Sequence, residues 1–246
     1  MTHFIHRVSL CICALLSASA VLPAQDYDEL RKFEQASGSA SILYRGKTAT
    51  RYLANANGTY YWSTKKYETG DIVFEGRRYD GVDMNIDAIA QEVLVRLKGT
   101  TVEIALPTDK VDSLTIGGTH FVNIRQAGEG MPDGLYEILY RGSVVLYRNV
   151  VKMLHSSTAS VNGKLIGYDD PYYNTKFTSF YEYSPTYYLK AEDGSTRQIK
   201  SKSALVRCFP DKKKALNRFI RENELLTPGV SFEDFSQKVL QYGEQL

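Results

Sequence analysis

The chain has 246 residues, with 30 Lys and Arg against 28 Asp and Glu and a formal net charge of +2. That balance argues against a nucleic-acid binder that works by phosphate neutralisation, because such proteins concentrate basic charge. With 43% apolar and 24% charged residues the chain is ordinary and globular, with core enough for one large domain or two small ones.

The first 24 residues read as a secretory signal peptide. Arg7 and the amino terminus make a positive start, residues 8–20 an apolar run, and small residues offer cleavage after Ala20 or Ala24. The run falls short of the roughly 20 apolar residues that cross a bilayer. Cys11 and Cys13 lie inside it, after Leu10 and Ile12, and not at its end after a small residue. Export to the periplasm or cell surface is therefore expected, and not as a lipoprotein. Signal removal leaves Cys208 alone, so the mature chain must be stable without an intramolecular disulfide. Its apolar surroundings, Leu205 to Phe209, predict a buried and inert thiol.

From Ser41 to about Leu154 the periodicity is two, with turn residues at short intervals. Strands are predicted at 41–44, 48–53, 59–62, 72–76, 78–82, 92–97, 101–106, 120–125, 135–140 and 144–153. A turn is expected at 68–71. Asn57-Gly58, Lys98-Gly99 and Asn162-Gly163 accept the positive φ of tight hairpin turns. Many short strands so joined imply an antiparallel meander. Ile42-Leu43-Tyr44-Arg45-Gly46 recurs identically at residues 138–142. The repeat is read as a shared hairpin device, strand then turn, without implying duplicated domains.

Tyrosine is abundant, at 18 residues against 10 Phe and 1 Trp. It concentrates at 168–188, a window whose Pro171 and Pro185 exclude one uninterrupted central strand. Binding candidates there are Tyr172, Tyr173, Tyr181, Tyr183, Tyr187 and Tyr188, because tyrosine joins a broad apolar face to a polar tip. Half-buried strand positions, for which tyrosine has high propensity, explain the window as well or better. Adjacent strand residues face opposite ways, so each tyrosine pair should bury one ring and expose the other. A hairpin follows, 187–191 and 196–200 about a turn at 192–195.

The tail changes period. Ala215, Leu216, Phe219 and Ile220 share one helical face after Asp211, a candidate cap. Ser231 to Asp234 resembles a capping box ahead of Phe232, Phe235, Val239 and Tyr242. Two helices should pack their apolar stripes on the sheet.

Chemistry is sparse. His120 and His155 are the mature chain's histidines, without metal-ligand spacing, so neither a metal site nor another cofactor is predicted. Gly46-Lys47-Thr48 lacks the earlier glycine of a phosphate loop, and Gly128-Glu129-Gly130 the third glycine of a dinucleotide fingerprint. Asp80, Asp83, Asp87, Asp169 and Asp170 form local acidic groups that read equally well as turns and solvated edges. No catalytic residue is assigned.

The segments Glu75 to Val82, Glu92 to Arg96 and Gly134 to Tyr147, with Ile199 to Lys202 and Pro210 to Asn223, resemble an uncharacterised family. Its members are small exported β-rich proteins of Gram-negative bacteria, without an assigned activity. The resemblance implies a periplasmic or cell-surface location and no chemistry.

The expected architecture is mainly β (α+β). It comprises a signal peptide at 1–24, an antiparallel β domain at 25–205 and a helical hairpin at 206–246 packed on it. The expected role is non-catalytic, binding or assembly in the envelope with a protein or glycan partner. The alternative is a carboxylate-dependent, glycan-directed hydrolase.

Overall fold

The computed structural model describes residues 41–52, 56–62, 67–97, 99–126, 130–156, 160–161, 164–165 and 179–246. The predicted signal segment lies outside them, as do Asp169, Asp170, Tyr172 and Tyr173.

In chain order the strands are β1 (Lys47–Thr48), β2 (Ala56–Asn57), β3 (Glu68–Phe74), β4 (Arg77–Asp87) and β5 (Glu92–Arg96). Next come β6 (Glu103–Leu106), β7 (Val111–Ile116), β8 (Thr119–Ile124), β9 (Gly134–Arg141) and β10 (Val145–Ser156). The last are β11 (Ser160–Val161), β12 (Lys164–Leu165), β13 (Ser179–Lys190) and β14 (Thr196–Ile199). Three helices end the chain: α1 (Lys202–Arg207), α2 (Lys213–Glu222) and α3 (Phe232–Glu244). The fold is mainly β, as the period-two pattern predicts, with an open antiparallel sheet in the order β1-β6-β5-β4-β3-β7-β8-β9-β10-β13-β14. Strand β2 adds to β13 in parallel, and β11 pairs with β12 separately.

Register gives each face its chemistry. Ile72, Leu114 and Phe121 stand side by side across β3, β7 and β8, all buried, while Asp71, Thr115 and His120 line up on the opposite face. The first set belongs to a core that also holds Phe74, Met84, Val95 and Leu135. A second core joins Leu146, Leu189 and Ile199 of the sheet to Leu205, Leu216, Ile220, Phe235 and Val239 of the helices. Each such aliphatic or aromatic side chain contributes roughly 1.5–3 kcal/mol through burial. The two predicted helical stripes also meet directly, Phe219 stacking on Tyr242 at 4.2 Å. The sheet bends round on itself: Lys152 N in β10 donates to Ala88 O between β4 and β5, and Gln91 Nε2 donates to Val150 O.

Several local expectations are corrected. Residues 42–44 form a 3-10 turn, with Arg45 N donating to Ile42 O, whereas the identical pentapeptide at 138–142 runs through β9. The shared hairpin device is therefore absent: Leu43 is drawn into the first core, and that burial decides the backbone. The predicted turn at 68–71 is the first half of β3. Strand β7 was not foreseen, because a register shift opposite Val73 and Phe74 breaks its alternation. Gly117-Gly118 then supplies the two positive φ angles, 55° and 81°, that its turn into β8 requires. Helix α1 is additional to the two expected, and is capped by Ser201, whose Oγ accepts Ala204 N. Lys212, not Asp211, precedes α2, without a side-chain cap. The Ser231 cap of α3 is as expected, its Oγ accepting Asp234 N at 2.9 Å.

Pro185 does not break β13. There β13 pairs with β10 alone among the described elements, so its missing N–H faces no second strand.

Candidate functional site

The twelve-residue pairing of β10 with β13 continues past the sheet as an arm. In its register Lys152 opposes Tyr183, Met153 opposes Glu182 and Leu154 opposes Tyr181. Alternation puts Tyr181, Tyr183 and Leu154 on one face. The other face carries Met153, Glu182 and a stacked His155–Phe180 pair, ring centres 5.4 Å apart. His155 Nε2 lies 2.7 Å from Glu182 Oε2. Tyr183, Met153 and Leu154 are 47%, 46% and 38% exposed. Each face of the paired strands thus carries an apolar side chain partly open to solvent. Among the described residues, 181–186 of β13 pair with β10 alone, between the partners β2 at 179–180 and β14 at 187–190, and so form a strand edge. Unpaired edge groups are a template for an added strand, and Pro185 limits how far one could extend.

The root of the arm is fixed by polar bonds. Lys152 Nζ donates to Thr59 O at 2.9 Å and also to Tyr61 O, and burial pushes its pKa down. Below it, Arg148 Nε donates to Glu137 Oε2 at 2.9 Å. Its Nη1 donates to Glu233 Oε1 at 2.7 Å and to Tyr183 Oη at 3.2 Å. Tyr187 Oη donates to the same Glu233 oxygen at 2.6 Å. This network ties β9, β10 and β13 to the first turn of α3. Burial opposes the charge on Arg148, but Glu137 and Glu233 outweigh it and hold the guanidinium pKa above its ordinary value. Burial likewise acts against Glu233, yet bonds from Tyr187 and Arg148 keep its carboxyl below the usual range.

The predicted tyrosines thus have separate places. Tyr183 is exposed on the arm and Tyr181 is half-buried beside it. Tyr187 is half-buried against Phe232, rings 4.2 Å apart, with its hydroxyl committed to Glu233. Tyr188 is 7% exposed and packs edge-on to Tyr136 in a cluster with Met131 and Tyr147. The other pair, Tyr172 and Tyr173, lies outside the described residues.

A second tyrosine group lies close together in the sequence, but the partners that organise it, Arg96 and Glu103, come from distant strands. Tyr60 Oη donates to Tyr61 Oη at 3.0 Å, and Tyr61 Oη donates to Glu103 Oε1 at 2.9 Å. Tyr67 sits edge-on to Tyr61, with Arg96 over its own ring at 4.5 Å. Burial raises all three phenol pKa values, Tyr61 most.

The acidic candidates among the described residues, Asp80, Asp83 and Asp87, each have partners. Asp80 pairs with Arg78 at 2.7 Å, and Asp83 accepts Thr69 Oγ1 at 2.8 Å. Buried Asp87 accepts the N–H groups of Ile89 and Ala90, fixing the turn after β4. Cys208 Sγ donates to Ala204 O at 3.4 Å, and burial pushes its thiol pKa up. Among the described residues no group of three or more His, Cys, Asp or Glu side chains is placed to hold a metal ion. No described helix is long and apolar enough to cross a membrane.

Met153 and Leu154 were missed as surface residues. Val150-Val151-Lys152-Met153-Leu154 is a nearly continuous apolar run, which reads as core. The available signal was Lys152 within it, marking where the strand leaves the sheet. No family model matches the chain, and neither a curated protein nor a solved structure matches it.

Proposed function

We propose that the mature protein is a non-catalytic, exported envelope protein, periplasmic or on the cell surface, with a binding or assembly role. The arm of β10 and β13 is its contact surface. One observation carries this reading: Tyr183, Met153 and Leu154 are exposed together on a ribbon whose root is rigidly bonded. Gathered apolar groups beside polar tips are what interaction surfaces present, and a protein or glycan of the envelope is the partner class. The export signal read in residues 1–24 and the resemblance to exported β-rich proteins support the location.

Photo-crosslinking in the producing cell tests the reading. A photoreactive residue replaces Tyr183, and Lys238 on the helical layer serves as control. A discrete envelope adduct specific to position 183 is expected. Crosslinks at 183 no more abundant than at 238 overturn it. Amino-terminal sequencing of the mature protein should begin at Val21 or Gln25, and recovery from the cytoplasm with residues 1–24 intact removes the export claim.

A further inference from the structure

A second, smaller site lies in the helical layer, on different elements from the arm. The three helices line an open pocket of about 280 Å³. Val206, Ile220 and Phe235 supply buried apolar lining, and Leu226, 64% exposed, stands beside them. Three cations share the lining: Lys202, Arg207 and Lys213. Among the described residues no aspartate or glutamate lines it.

The cations differ in what they are free to do. Lys202 Nζ is held by Val230 O at 2.8 Å and lies 5.2 Å from the centre of the Phe235 ring. It is a fixed positive charge at the apolar floor. Arg207 and Lys213 are exposed, and among the described residues no ion pair or side-chain hydrogen bond engages either. An apolar surface with an uncompensated positive rim selects an occupant that is apolar and anionic within a short span. A volume of 280 Å³ suits one apolar side chain with a carboxylate, and is small for an acyl chain. Among unmodified residues, an apolar side chain and a carboxylate belong to one residue only at a polypeptide carboxyl terminus. Arg207 can take such a carboxylate through two parallel N–H donors, and Lys213 as a point charge.

We infer that this pocket binds the free carboxyl-terminal residue of a partner polypeptide, an apolar residue seated on Phe235 and Ile220 with its carboxylate between Arg207 and Lys213.

The probe is N-acetyl-Gly-Gly-Leu with a free carboxylate, titrated into the full mature protein and followed by NMR shifts of residues around the pocket. Its carboxyl-terminal amide is the control. The acid should bind about tenfold more tightly than the amide, the loss expected for one charge-assisted contact. Arg207→Gln with Lys213→Gln should abolish that preference without moving the melting temperature, since both residues are exposed. Leu226→Asp, also at an exposed position, should weaken the acid more than the amide. Equal binding of acid and amide, unchanged binding in the double variant, or no shift up to the solubility limit each overturns the inference. Binding of phosphatidylglycerol vesicles through the same two cations, with no peptide binding, replaces it with a lipid surface.

Discussion

Arg148 of β10 and Glu233 of α3 lie 2.7 Å apart, and Glu137 of β9 takes the same guanidinium from the other side. One cation therefore fastens the helical layer to the sheet. The Arg148 side chain is largely shielded from water, so the pair is not the kind of surface bridge that contributes nothing measurable.

Arg148→Met should cost about 3–5 kcal/mol in urea denaturation, because it strands Glu137 as a buried charge. Replacing both partners, Arg148→Met with Glu137→Leu, should recover much of the loss. A double variant no more stable than Arg148→Met would show that packing, and not the unpaired charge, sets the cost.

Alkaline pH should unfold the protein early. Burial holds the Tyr61, Tyr67 and Tyr187 phenols well above their ordinary pKa, and pushes Tyr52, Tyr136 and Tyr140 to about 12. The folded values are raised, so the stabilisation is complete below pH ~10, where unfolded tyrosine begins to ionise. It is lost as pH rises from there through the folded values. Each phenol kept neutral only by folding adds about 1.4 kcal/mol of lost stability per pH unit, less for the partly exposed rings. Tyrosinate absorbance should rise together with loss of β-sheet circular dichroism. Smooth ionisation of most tyrosines with the fold intact would contradict this.

Gly70→Ala should be among the most damaging small changes in the sheet. A Cβ at Gly70 would lie 1.8 Å from the carbonyl oxygen of Thr115, a main-chain atom of the adjoining strand that cannot swing aside. Overpacking of this kind costs about 1–3 kcal/mol or more. A melting temperature within one degree of wild type would mean that β3 and β7 separate more readily than their ladder implies.

What the sequence made legible was whatever rests on local pattern. The Ser231 cap, the Leu216–Ile220 stripe and the alternation of β8 and β9 depend on neighbours a few residues away. Contacts across long separations were hidden. Gly70 reads as a turn glycine until Thr115 is beside it, and Ile42 to Gly46 reads as strand until Leu43 finds the core. The candidate surface followed the same division. The aromatic window was visible, but its split into exposed Tyr183 and buried Tyr188 depends on how far β13 runs beyond β14. Arg148, joining Tyr183 to Glu233, carried no motif at all.

Tyr183 and Tyr188 therefore make a matched pair for separating contact from stability. They lie five residues apart on one strand and carry the same side chain. Tyr188 packs against Tyr136 in the tyrosine cluster, while Tyr183 on the arm is about half exposed and its hydroxyl accepts a 3.2 Å hydrogen bond from Arg148. Tyr188→Ala should cost about 3–5 kcal/mol, as buried aromatics do. Tyr183→Ala should stay within about 1 kcal/mol, since it removes a half-exposed ring and one modest hydrogen bond. On the proposed reading, Tyr183→Ala nonetheless removes the envelope partner, seen as loss of a native crosslink from a photoreactive residue at position 154. Retention of that crosslink at wild-type strength, with stability equally unaffected, would leave Tyr183 an ordinary surface residue and move the contact elsewhere on the arm.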